Sequence, residues 1–147
     1  MGNNWKITDT LTKVFADEVP DGQGSIRLST LHRETVSCVI AYLGAADWGR
    51  YWKVSVKAPE KIETRLRRIE LVPSAYPCHK AQDDNYLRIV PGMYPDLLRD
   101  LDTEDDGADK KYLTKEVPGQ WRSLWLDVTV DAELAGGDYA IMIETET

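Results

Sequence analysis

The sequence is short of several things, and each shortage excludes something. It has 18 Lys and Arg residues against 25 Asp and Glu, a formal net charge of −7. A phosphate-backbone partner needs a basic stripe, so nucleic acid is not expected as a partner, although Arg65, Arg67 and Arg68 form a local cluster. No apolar run approaches the ~20 residues that cross a bilayer as a helix, and no membrane partner is expected. The opening residues, 1–10, are polar and lack the apolar stretch of a secretory signal. There are only two cysteines, Cys38 and Cys78, enough for one disulfide at most. Without a signal the chain reads as cytoplasmic, with both thiols reduced. Sustained helical periodicity is also scarce.

What is present describes one folded domain. The 147 residues are the length of a single ordinary domain, and no linker or repeat divides them. Hydrophobic residues make up 42% and charged residues 29%, a globular composition. With one Phe but seven Tyr and five Trp, the large rings that fill a core here also carry polar tips.

Period-two alternation dominates. Residues 52–58 place Trp52, Val54, Val56 and Ala58 on one face and polar groups on the other, as in a half-buried antiparallel strand. Residues 35–43 are apolar on both faces, with Val36, Cys38, Ile40 and Tyr42 on one side and Val39, Ala41 and Leu43 on the other. That strand should be central and covered twice. Residues 65–72 form a third strand in which Leu66 slips out of register with Ile69 and Leu71, pointing to a bulge or a rim position. Residues 121–130 put Leu124, Leu126, Val128 and Val130 on one face and Trp121, Ser123, Trp125, Asp127 and Thr129 on the other.

Shorter strands are expected at 86–90, before the turn pair Pro91-Gly92, and at 25–31. After the turn Gly136-Gly137-Asp138, residues Tyr139, Ile141 and Ile143 alternate into a closing strand. The best helical candidate is 94–101, with Pro95 in its first turn and Leu97, Leu98 and Leu101 at compatible spacing. The sum is an all-β antiparallel sandwich of about seven or more strands, immunoglobulin-like or jelly-roll-like.

Four segments taken in order resemble a known family. They are Leu31-His32-Arg33-Glu34-Thr35-Val36-Ser37, Pro91-Gly92-Met93-Tyr94-Pro95-Asp96-Leu97-Leu98, Gly119-Gln120-Trp121-Arg122-Ser123-Leu124-Trp125-Leu126-Asp127-Val128 and Ala135-Gly136-Gly137-Asp138-Tyr139-Ala140-Ile141. Together they are similar to the N-terminal β-sandwich that precedes the catalytic barrel in glycoside hydrolase family 123, over about Val14 to Ile143. The resemblance implies that the domain begins a longer chain related to β-N-acetylgalactosaminidases. In that family an adjacent Asp-Glu pair on a (β/α)8 barrel assists attack by the sugar's own acetamido group. A barrel takes about 200 residues or more, so this chain holds none, and Asp17-Glu18 does not match the catalytic pair. No catalytic residue is carried over. The expected role is non-catalytic: bracing the barrel and lining one edge of its cleft, where an N-acetylhexosamine-containing glycan would lie; the alternatives are a free-standing carbohydrate-binding module and a structural protein-interaction domain.

Candidate sites follow from the residues themselves. Tyr76, Tyr86 and Tyr94 lie in or beside Pro- and Asp-rich connections, and Trp48 and Tyr51 flank Gly49. Rings in loops stack on sugar faces, and Asp83, Asp84 or Asp96 would accept hydroxyl hydrogen bonds. The same rings equally well cover the ends of a sandwich. Trp48, Tyr76, Tyr94 and Asp96 are the substrate-binding candidates. Trp121 and Trp125 on one strand face are the candidates for docking against the barrel.

Asp100, Asp102, Glu104, Asp105, Asp106 and Asp109 make an acidic stretch around Gly107. It departs from the EF-hand spacing and is expected to be a solvated, mobile loop. Cys38, Cys78, His32 and His79 lack the paired spacing of a zinc site. Neither a metal nor a cofactor is expected.

Overall fold

The computed structural model describes residues 4–45, 51–81, 85–105 and 110–146. Among them are nine strands: β1 (Trp5–Thr8), β2 (Thr35–Leu43), β3 (Tyr51–Lys57), β4 (Ile62–Ser74), β5 (Gly92–Asp100), β6 (Asp102–Asp105), β7 (Lys110–Lys115), β8 (Trp121–Val130) and β9 (Met142–Glu146). They build a five-stranded sheet, β1-β2-β8-β4-β5, and a four-stranded sheet, β6-β7-β3-β9, and every named pairing is antiparallel. The described residues hold no helix long and apolar enough to cross a membrane.

The alternation read from the sequence sets the core. Cys38, Ile40 and Tyr42 of β2, Leu66 of β4 and Leu124, Leu126 and Val128 of β8 meet Trp52 and Val54 of β3 and Tyr112 of β7 between the sheets. Ile40 and Leu124 are essentially inaccessible, and burying each contributes about 2–3 kcal/mol. Trp5 of β1 stacks on Tyr42 at 5.1 Å and lies 4.4 Å from Trp52, so three rings close one part of this layer. Across the interlayer, the Tyr42 and Thr114 hydroxyls hydrogen-bond at 2.7 Å.

β2 is covered on both sides, as its sequence requires. Its other face packs Val39 and Ala41 against Val14 and Trp121. The cover on that side is the segment 9–20, held where the Trp121 amide donates to the Ala16 carbonyl at 2.9 Å. Gly44 follows β2 and bridges Pro118, so close that a Cβ there would lie 2.1 Å from the Val117 carbonyl oxygen. The chain crosses between sheets at a point only glycine fits.

Several expectations are corrected. Residues 94–101 are not a helix; they lie in the edge strand β5 and its end, paired with β4 from Arg67↔Asp100 to Ser74↔Gly92. Extended geometry suits a residue preceding proline, and an edge strand tolerates the missing amide of Pro95. A register irregularity does fall within 65–72, but it is not what sets Leu66 apart. Leu66 faces the main core and Ile69 the opposite layer, while the irregularity falls between Glu70 and Leu71, where Glu70 pairs with Leu97 and Leu71 with Pro95. Asp96 is therefore the extra residue of a β-bulge on β5.

Residues 86–90 and 25–31 are irregular rather than strands, since no neighbouring strand takes up their amides. The closing strand begins at Met142, later than expected. Tyr139 instead closes the preceding turn by donating to the Ala135 carbonyl at 2.7 Å. The acidic stretch is in part a hairpin arm: β6 pairs with β7, setting Glu104 opposite Lys111. Opposite charges across the strands favour the pairing. Residues 106–109 lie outside the described residues.

Candidate functional site

The sequence-expected site residues do not converge on one place. Trp48 lies outside the described residues, as do Asp83 and Asp84. Tyr76 stands in the connection 75–91 between β4 and β5, with 92% of its surface accessible. Asp96 is exposed on the β5 bulge.

Tyr94 is part of β5 and half-buried. Its hydroxyl donates to the Val90 carbonyl at 2.5 Å, and its ring meets Phe15 edge-on at 5.7 Å. Tyr94 thus fastens the connection 75–91 to the strand, and its hydroxyl is already engaged.

A small cluster forms beside it. The Arg88 guanidinium lies over Phe15 and reaches Asp17 at 2.9 Å and Glu18 at 2.5 Å. The hydrogen bond from Arg88 holds the Asp17 carboxyl below its ordinary value. The adjacent Asp17-Glu18 pair is in this way part of a structural clamp between segment 9–20 and the connection 75–91.

Around that clamp the surface is apolar. Leu87 is 72% and Val90 57% accessible, and Tyr86, Ile89, Met93 and Leu97 are each exposed by nearly half. All belong to the connection and to β5, one of the two edge strands of the five-stranded sheet. Large apolar side chains continued along an open edge mark an interaction surface.

The two tryptophans expected as a docking pair differ in exposure. Trp121 is only 5% accessible, because Val14 packs against it. Lys6 also lies over its ring at 5.8 Å. Trp125 is half-buried, and its indole N–H donates to Asp127 at 2.7 Å.

Asp127 is a hub that sequence reasoning missed. Ser37 donates to the same carboxylate oxygen at 2.7 Å, and Arg67 reaches the other at 2.6 Å. Burial pushes the carboxyl up, yet the hydrogen bonds from Ser37, Trp125 and Arg67 outweigh it and hold the group below its ordinary value. The signal was present in the parity of β8, where Trp125 and Asp127 share a face. Ser37 and Arg65, the cross-strand partners of Asp127, are set only by register.

Cys38 is in the core, where burial raises its thiol to about 11. Cys78 contacts the Ile89 carbonyl, and the His32 ring bonds the Leu134 carbonyl at 2.7 Å. Among the described residues, no three His, Cys, Asp or Glu side chains group as a metal set.

The fold and its surfaces define an antiparallel β-sandwich with one apolar edge. Compared with known proteins, the chain matches no family model and no curated protein.

Proposed function

We propose that this domain is the non-catalytic accessory β-sandwich of a glycoside hydrolase, seated by its β5 edge against a following catalytic barrel. The observation that carries the docking part is the run of exposed apolar side chains from Tyr86 to Leu97 along an unpaired edge. Such surface is costly in water and is stabilised by a cover. The enzyme class rests on the resemblance of the four sequence segments. In this reading the domain braces the barrel, and the exposed Tyr76 and Asp96 reach the rim of a cleft that takes an N-acetylhexosamine-containing glycan. The parent protein works in the cytoplasm.

The test is to read the gene past the codon for Thr147 and to express the continued protein. The reading expects alternating strands and helices, with an adjacent Asp-Glu pair at a strand end. In that protein Leu87→Asp and Leu97→Asp should loosen the domain from the barrel and open the junction to limited proteolysis. A stop codon at that point, or unchanged proteolysis in both variants, rejects it.

A second reading is a free-standing carbohydrate-binding module, favoured by the nearly full exposure of the Tyr76 ring. It expects saturable glycan binding by this domain that Tyr76→Ala abolishes.

A further inference from the structure

At the opposite end of β4 from the connection 75–91, the sandwich carries a groove of about 680 Å3. Three stretches distant in sequence build it: the turn before β2, the β3–β4 turn and the end of β8. The Arg33 amide donates to the Val130 carbonyl at 2.8 Å, and the Asp131 amide to the Lys61 carbonyl at 3.0 Å, so both turns are clamped onto β8. Its volume falls within the range of small-molecule sites.

The two turns share an unusual feature. Arg33 has φ 62° and Lys61 has φ 68°, and they are the non-glycine residues with left-handed backbone among those described. That conformation costs a long side chain about 1 kcal/mol or more relative to glycine. Both positions hold a cation, and both residues line the same groove. The backbone alone would be better served by glycine, so the side chains are what the positions retain.

The chemistry of the lining narrows the ligand. Glu63, Asp131 and Glu133 share the lining with Arg33 and Lys61, three acidic residues to two basic, so the groove is not a positive site for phosphate or sulfate. Lys61 meets Glu133 at 3.3 Å, while no described residue engages the Arg33 guanidinium or the Glu63 carboxylate. Strong donors and strong acceptors therefore line one groove, together with Thr129, whose hydroxyl shares a hydrogen bond with that of Thr35 at 2.7 Å, and with Ile62 and the buried Val130. A hydroxyl both donates and accepts, and a ring carrying several of them satisfies such a lining without bringing charge.

We propose that this groove binds a short neutral oligosaccharide, with Arg33 and Lys61 donating to its hydroxyls and Glu63 and Glu133 accepting from them. The inference goes beyond the docking role and does not depend on it, since it concerns the isolated domain and a different end of the sheet.

The experiment titrates the purified domain with triacetylchitotriose, cellotriose and trigalacturonate, followed by amide NMR shifts. One of the two neutral trisaccharides should give saturable shifts at Arg33, Lys61 and residues 129–133. Arg33→Gly and Lys61→Gly should each weaken that binding about tenfold, with denaturation midpoints equal to or above the parent's. Four results would overturn the proposal. These are no saturable shift with either neutral sugar, binding confined to trigalacturonate, shifts mapping to Tyr76 and Tyr94 instead, or glycine variants that bind as the parent does. Lower midpoints in both glycine variants would refute the argument from the backbone.

Discussion

The guanidinium of Arg88 lies 3.9 Å from the centre of the Phe15 ring. The contact joins segment 9–20, which covers Trp121, to the connection 75–91, which carries the apolar edge. Its ion partners Asp17 and Glu18 are well exposed and contribute little. The stacked, mostly buried arginine stem contributes more. Arg88→Ala should therefore lower stability by about 1–2 kcal/mol, and Asp17→Asn by much less. Urea denaturation of the two variants measures the difference. Equal effects would assign the clamp to charge instead of stacking.

The Tyr42–Thr114 hydroxyl pair ties the two sheets together inside the core, with both residues fully buried. Tyr42→Phe leaves the Thr114 hydroxyl short of a partner and should cost about 1–3 kcal/mol. Combining it with Thr114→Val removes both polar groups, and the double variant should be less destabilised than the sum of the single ones. A double-mutant cycle in urea reads the coupling directly. Additive costs would mean that the hydroxyls do not depend on each other.

Gly44→Ala would place a methyl group against the Val117 backbone. Backbone cannot rotate away as a side chain does, so the loss should reach about 3–5 kcal/mol. Gly119 has φ +68° but open space around its Cβ position, and Gly119→Ala should cost only about 1 kcal/mol. Thermal denaturation of the two variants should rank them in that order.

Asp127 makes stability depend on acid. A carboxyl held below its ordinary value when folded contributes fully above about pH 4. That contribution disappears as pH falls through the depressed folded value. Asp127→Asn should lower stability at neutral pH by about 1–2 kcal/mol, partial solvent access keeping the figure below that of a fully buried pair. The gap between parent and variant should then close as pH falls from about 4 towards 2. Urea midpoints across that range check it, and a constant gap would contradict the assignment.

Cys38 is 3% accessible and its thiol is raised to about 11 by burial. In the native domain at pH 8 it should resist a thiol reagent, and only Cys78 should react. Unfolding should release the second equivalent. Two fast equivalents without denaturant would contradict the buried position.

The sequence by itself determined the class of the fold and four of its strands, the fourth being β4, read at residues 65–72 and found at Ile62–Ser74. β2, β3 and β8 were legible because their apolar residues recur every second position, and because β2 is apolar on both faces. A strand's side chains alternate whatever it pairs with, so that pattern survives without knowledge of the partner. The ring-rich composition likewise anticipated a core supplied in part by large rings, and Tyr42 and Trp52, read on apolar strand faces, lie in it.

Tertiary structure decided the rest. Residues 94–101 satisfied a helical spacing as well as a strand, and pairing along β4 settled it. β6 and β7 are mostly charged, and what holds them is Lys opposite Glu across a register that no local pattern announces. Trp121 was read as surface because its cover, Val14, comes from a segment more than a hundred positions earlier. The groove joins Arg33, Lys61 and Glu133 in the same way. Hydrogen-bonded pairing and packing are non-local, so which residues share a surface is set only when distant strands take their register.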